Sequence, residues 1–194
     1  MAHEQLLRLF LAVDLPDAFR RTLAKLQARV KPVYGVGTFG EPENFHVTLH
    51  FLGDTAVSRL PALIDGLGTI EMPMLDLQPG ALVHFPDDRR ARVAAASVVG
   101  DVALLGDLHA RLAMLIKDIG YRLDGRAFKP HVTIARFKFP PPPDRVTEAA
   151  KAAESLLVRA PVGRVGQFTL FQSTLDPKGP RYAALGRFPK SGSV

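Results

Sequence analysis

Two short stretches of this 194-residue chain repeat one arrangement: His46-Val47-Thr48-Leu49 and His131-Val132-Thr133-Ile134. In an extended strand alternate side chains share a face, so each stretch shows an imidazole and a hydroxyl together, backed by two aliphatic residues. The aliphatic face can join a core. The polar face needs water, a partner or a ligand. One such histidine is ordinarily a half-buried, hydrogen-bonded residue. Two copies among six histidines point to shared work.

The chemistry open to two imidazoles and two hydroxyls is narrow. A neutral ring can take a proton while a charged one gives a proton, both near working pH. Threonine hydroxyls suit the non-bridging oxygens of a phosphate, whose charge redistributes during displacement. Acid–base cleavage of a phosphodiester fits this set and calls for no metal and no cofactor. Zinc fits poorly, because His and Thr are a weak ligand pair and neither copy has an acid or a cysteine beside it. The chain has no cysteine and neither a G-x-S-x-G nor a P-loop sequence, which removes thiol, nucleophile-elbow and P-loop chemistry.

Composition agrees with a globular protein, 47% hydrophobic and 23% charged. Its 25 basic and 19 acidic residues leave a net charge of +6, which suits a polyanion such as RNA. No run approaches the roughly 18 to 20 apolar residues that span a bilayer. The opening MAHEQLLRLFLAVDLP is interrupted by Arg8 and Asp14 and lacks a basic leader. A soluble, cytoplasmic monomer with no membrane partner is expected.

The elements that must hold the two motifs follow from periodicity. LLRLFLAVDL reads as a buried strand, and PDAFRRTLAKLQARV as an amphipathic helix through Phe19, Leu23, Leu26 and Val30. A Gly/Pro-rich loop, KPVYGVGTFGEPEN, leads to the strand FHVTLHFLG, and a helix is expected from about Ser58 to Leu67. MLDLQPGALVHF and RVAAASVV form a hairpin around 86–90. VALLGDLHARLAMLIKDIG is a helix with a stripe at Leu104, Leu105, Leu108, Leu112, Leu115 and Ile116, stopped by Gly120. After strand HVTIARFKF, the prolines of FPPPPD make a stiff connector. Helix DRVTEAAKAAESLL and strands GQFTLFQSTL and RYAALGRF close the chain. Strand–helix units flank each motif, so an α+β fold of two pseudo-symmetric lobes is expected.

The sequence resembles the RNA 2′,3′-cyclic phosphodiesterases, also called 2′-5′ RNA ligases, within the two-histidine phosphoesterases. Their paired H-x-T-hydrophobic motifs are matched by His46/Thr48 and His131/Thr133. The likeness extends over LRLFLAVDLP, PENFHVTLHFLGD, FKPHVTIARFK and LFQSTLDPKGPRYAALGRFP. The resemblance implies a single domain over 1–194, with two lobes, each an antiparallel sheet with helices on its outer face, around a central cleft. It implies opening of a terminal 2′,3′-cyclic phosphate on RNA to a 2′-phosphate, with His46 as proton donor and His131 as acceptor. Thr48 and Thr133 would hold phosphate. The reverse reaction, 2′-5′ ligation, is secondary. Where the family often has tryptophan before the first motif, this chain has Phe39 and then Gly40.

Arg136 is also typical of the family, and a guanidinium fork suits phosphate. Strict alternation puts it opposite His131 unless the strand bulges or ends near Ala135. His50 shares parity with His46 and is expected at the rim. His3 and His109 read as surface residues, and His84 has no assigned role. Phe10, Phe45, Phe51, Phe128 and Tyr182 are candidates for base stacking, with core packing expected of most. Basic stretches at 87–92 and 137–140 read as exposed loop charge near RNA. Two rival functions remain at this stage: an RNA-end binding protein without useful catalysis, and a phosphodiesterase for a small cyclic nucleotide.

Overall fold

The computed structural model describes residues 4–123, 125–176 and 179–189. The element order is β1 (Leu6–Asp14), α1 (Asp17–Tyr34), β2 (Thr38–Phe39), β3 (His46–Ala56), α2 (Leu60–Gly68), β4 (Leu75–Phe85), β5 (Val93–Gly100), α3 (Val102–Asp118), β6 (His131–Arg136), α4 (Pro143–Leu157), β7 (Gly163–Val165), β8 (Phe168–Asp176) and β9 (Gly179–Phe188). Two antiparallel sheets result, ordered β3-β1-β8-β9 and β2-β6-β5-β4-β7. The expected two-lobed α+β architecture is present.

The pseudo-symmetry is concrete. β1-α1-β3 and β5-α3-β6 are each a helix joining two neighbouring antiparallel strands, and each motif begins the second strand. The helices, however, do not simply cover their own halves. α1 leaves the first sheet yet packs along α4 and reaches β4 and β6 of the second. α3 leaves the second sheet, pairs with α2, and touches both β4 of that sheet and β3 of the first. Buried apolar residues of both sheets therefore belong to one continuous core. In α1, Phe19, Leu23, Leu26 and Val30 are fully buried, each worth about 1.5–3 kcal/mol of transfer free energy as an upper estimate.

Local expectations hold with instructive exceptions. α1 continues through Pro32 to Tyr34 and stops at Gly35, whose φ of 69° lets its N–H reach the Lys31 carbonyl. Pro32 forfeits the backbone bond its N–H would make one turn back, and the last turn is held instead by Tyr34, buried with its hydroxyl 2.6 Å from His84 Nε2. In α3 the stripe is Leu105, Leu108, Leu112 and Ile116, with Leu115 partly buried; Leu104 is exposed. Pro142 is extended and Pro143 begins α4, where a missing N–H costs nothing. No described helix is long and apolar enough to cross a membrane. His3 lies outside the described residues.

Candidate active site

Asp14 stands opposite His46 where β1 ends and β3 begins. A short 3-10 turn, Pro42–Asn44, delivers the chain to this point. His46 Nδ1–H donates to the Asn44 carbonyl at 2.7 Å, and His46 Nε2 lies 3.0 Å from Thr48 Oγ1. The second motif repeats the first bond, with His131 Nδ1–H donating to the Lys129 carbonyl at 2.6 Å. A carbonyl only accepts, so each Nδ1 carries a proton and each Nε2 is the nitrogen left for exchange. In both motifs the histidine and threonine are half-buried, while Val47 and Val132 are in the core.

Both motif strands then bulge at the same step. Leu11 faces His50 and Ala12 faces Thr48, leaving Leu49 without a partner on β1. Ala94 faces Ala135 and Ala95 faces Thr133, leaving Ile134 without one on β5. An extra residue reverses the alternation beyond it. On β6 the bulge returns Arg136 to the side of His131 and Thr133, and its charge bears on both His46 and Tyr182. On β3 the same step turns His50 inward and Phe51 outward. His50 is therefore not a rim residue: it is buried, hydrogen-bonded by Nε2 to the His109 carbonyl at 2.8 Å, and stacked on the His109 ring at 4.0 Å. Nor is His109 a free surface residue. It is half-buried between His50 and Phe128, whose ring centroid is 4.1 Å away.

Aromatic side chains floor the first half of the site. Phe10, buried, lies 5.0 Å from the His46 ring, and Phe171 and Tyr182 lie 6.4 and 5.3 Å from it. Phe51, 60% exposed, adjoins Phe10 at 6.0 Å. Phe85 packs on the His131 ring at 4.6 Å. Of the stacking candidates, Phe51 and Tyr182 have accessible surface beside Phe10, Phe45 is core, and Phe128 serves the His50–His109 stack. Phe85 and Phe171 escaped the sequence reading; both sit in strands whose face depends on tertiary pairing. Phe39 pairs with Ala135 as part of β2, with Lys31 Nζ 5.5 Å from its ring centre.

Burial lowers the His46 pKa below the usual histidine value. The Asn44 carbonyl and the Asp14 carboxylate oppose this, and the positive charge of Arg136 adds to it. Asp14 is itself held by Thr169 Oγ1 at 2.8 Å and by Arg187 at 3.6 Å. Elsewhere His84 is buried between Tyr34 and Asp88, the latter 2.9 Å from Nδ1, and burial lowers its pKa also. In the 87–92 loop Arg90 is paired to Asp87. Among the described residues no three His, Asp or Glu side chains are grouped to hold a metal. The arrangement suits transfer of two protons beside an anion.

The sequence model of the LigT-like phosphoesterases matches this chain twice, over residues 13–95 and 100–182, and each match contains one motif. A Thermus thermophilus protein named RNA 2′,3′-cyclic phosphodiesterase is 35% identical over 96% of this chain and 91% of its own length. One of the same name from Methanothermobacter thermautotrophicus is 32% identical over 93% and 97%. The crystal structure of E. coli LigT complexed with 3′-AMP aligns with a TM-score of 0.74 at 26% identity, over 95% of this chain and 98% of that one.

Proposed function

Because the chain belongs to the LigT-like phosphoesterase family, we propose that it hydrolyses RNA 2′,3′-cyclic phosphate ends to 2′-phosphates, using His46 and His131 as acid and base. Water attacks phosphorus while His131 Nε2 accepts its proton. The bond from phosphorus to O3′ breaks, and His46 Nε2–H protonates that oxygen. The product carries a 2′-phosphate and a 3′-hydroxyl. Thr48, Thr133 and Arg136 hold the non-bridging oxygens as negative charge moves among them. With a 5′-hydroxyl in place of water as the attacking group, the same two transfers make a 2′-5′ bond.

The observation that carries this reading is the matched pair of Nδ1–carbonyl bonds, which leaves one exchangeable nitrogen per ring. The names of the relatives support the substrate, and the +6 charge suits RNA. Burial lowers the His46 pKa in the free protein; a phosphate dianion or diester entering beside it favours the imidazolium, so binding loads the donor. Every proposed group comes from one chain, so a monomer suffices.

The test is hydrolysis of a nucleoside 2′,3′-cyclic phosphate and of a short RNA with the same end, with EDTA present. His46→Ala and His131→Ala are each expected to lose about 10³-fold in rate while staying folded. A 2′-phosphate product lost in both variants supports the assignment. A 3′-phosphate product, turnover surviving in either variant, or a folded but inactive wild type overturns it. Inhibition by EDTA would overturn the metal-independent mechanism.

A further inference from the structure

β2 pairs with β6 for two residues only, Thr38 with Arg136 and Phe39 with Ala135. The next pair would set Gly40 against Ile134. There the ladder stops, and a side chain from α1 takes its place. Gln27 Nε2 donates to the Gly40 carbonyl at 2.8 Å and to the Ile134 carbonyl at 3.2 Å. A primary amide nitrogen has two protons, and both are spent on backbone: one on the segment leading to His46, one on the strand of His131. Ile134 is the bulged residue, unpaired toward β5, with its side chain fully buried. Its carbonyl needs a donor that the ladder does not supply.

We propose that Gln27 is a positioning residue of the active site, which holds the Ile134 bulge and so keeps Arg136 on the phosphate side beside Thr133. This rests on the reading of Arg136 as a phosphate-holding group but not on the identity of the substrate. Without the bulge, strand alternation returns Arg136 to the far face. The buried Ile134 side chain fixes one side of the extra residue and the Gln27 amide fixes its carbonyl. A staple that only joined α1 to the sheet would affect stability without altering the charge around His46.

Gln27→Met keeps side-chain length and helix preference and removes both donors; Gln27→Ala supplies the same loss in the best helix former. The His46 ring is titrated by NMR in the free protein, inorganic phosphate affinity is read from the same resonance, and kcat and KM are measured on RNA with a cyclic phosphate end. We expect about a tenfold loss in kcat/KM, weaker phosphate binding, and a His46 pKa raised in the same direction as by Arg136→Met. In an Arg136→Met background the Gln27 change should add less than about twofold. An unmoved His46 titration in a folded Gln27 variant overturns the proposal, as do full, independent losses in the double variant. If wild type proves inactive on cyclic phosphates, the NMR titration and phosphate binding still decide the role of Gln27 separately from the reaction.

Discussion

Replacing Arg136 by methionine separates the bulged geometry of β6 from simple strand alternation. Methionine keeps an unbranched stem and removes the charge and the fork. The Arg136 side chain is exposed, so global stability should move by less than about 0.5 kcal/mol. A charge-assisted bond to a phosphate oxygen is worth about 1.5–3 kcal/mol, which corresponds to a loss of about tenfold to 150-fold in kcat/KM. The loss falls mainly on KM where the contact is equally strong in ground and transition states. A second effect has a definite sign. Arg136 pushes the His46 and Tyr182 pKa values down, so its removal should raise both. Steady-state kinetics on an RNA cyclic phosphate and an NMR titration of the His46 ring read the two effects separately. A kcat/KM within twofold of wild type, with His46 titrating as before, would mean that the guanidinium lies away from the site and that the reasoning from the bulge is wrong.

Asp14→Asn removes the carboxylate that favours the His46 imidazolium, so the His46 pKa should fall further and kcat/KM at neutral pH should drop a few-fold; an upward shift would contradict the donor role. Tyr34→Phe strips His84 Nε2 of its buried partner and should cost about 1–3 kcal/mol, read as a lower urea midpoint, with a stability within error of wild type counting against that bond. Burial depresses the pKa values of His50 and His84, and that of His109 to about 4, while the unfolded chain binds these protons near pH 6.5. Stability should therefore be fully present above about pH 6.5 and decline as pH falls toward 5, with a shallower decline in His109→Phe; a flat urea midpoint between pH 6.5 and 5 would refute the linkage.

Much of the candidate site was legible in the chain because it depends on near neighbours. Strand alternation placed His46 with Thr48 and His131 with Thr133, and the helical period picked out the buried stripe of α1. The short strands β2 and β7 were missed, since two or three residues carry no period of their own. Proline misled at α1, where the buried Tyr34 contact outweighed the local signal to stop. Arg136 could be named but not placed. His50 was placed on the wrong side, because parity counted through Leu49 is valid only for an unbroken ladder.

The sequence by itself determined the residue types that can exchange protons and hold phosphate, their pairing on one strand face, and the class of elements that carry them. These follow from rotamer-independent facts: side-chain chemistry, a period of two in strands and of 3.6 in helices. Only the tertiary structure decided that α1 packs on the opposite half, that both motif strands bulge one residue after the threonine, and that α1 reaches across to bind Gly40 and Ile134. A bulge is set by which strand lies alongside and by what satisfies the carbonyl it frees. Those partners are distant in sequence, so no local pattern in the chain records them.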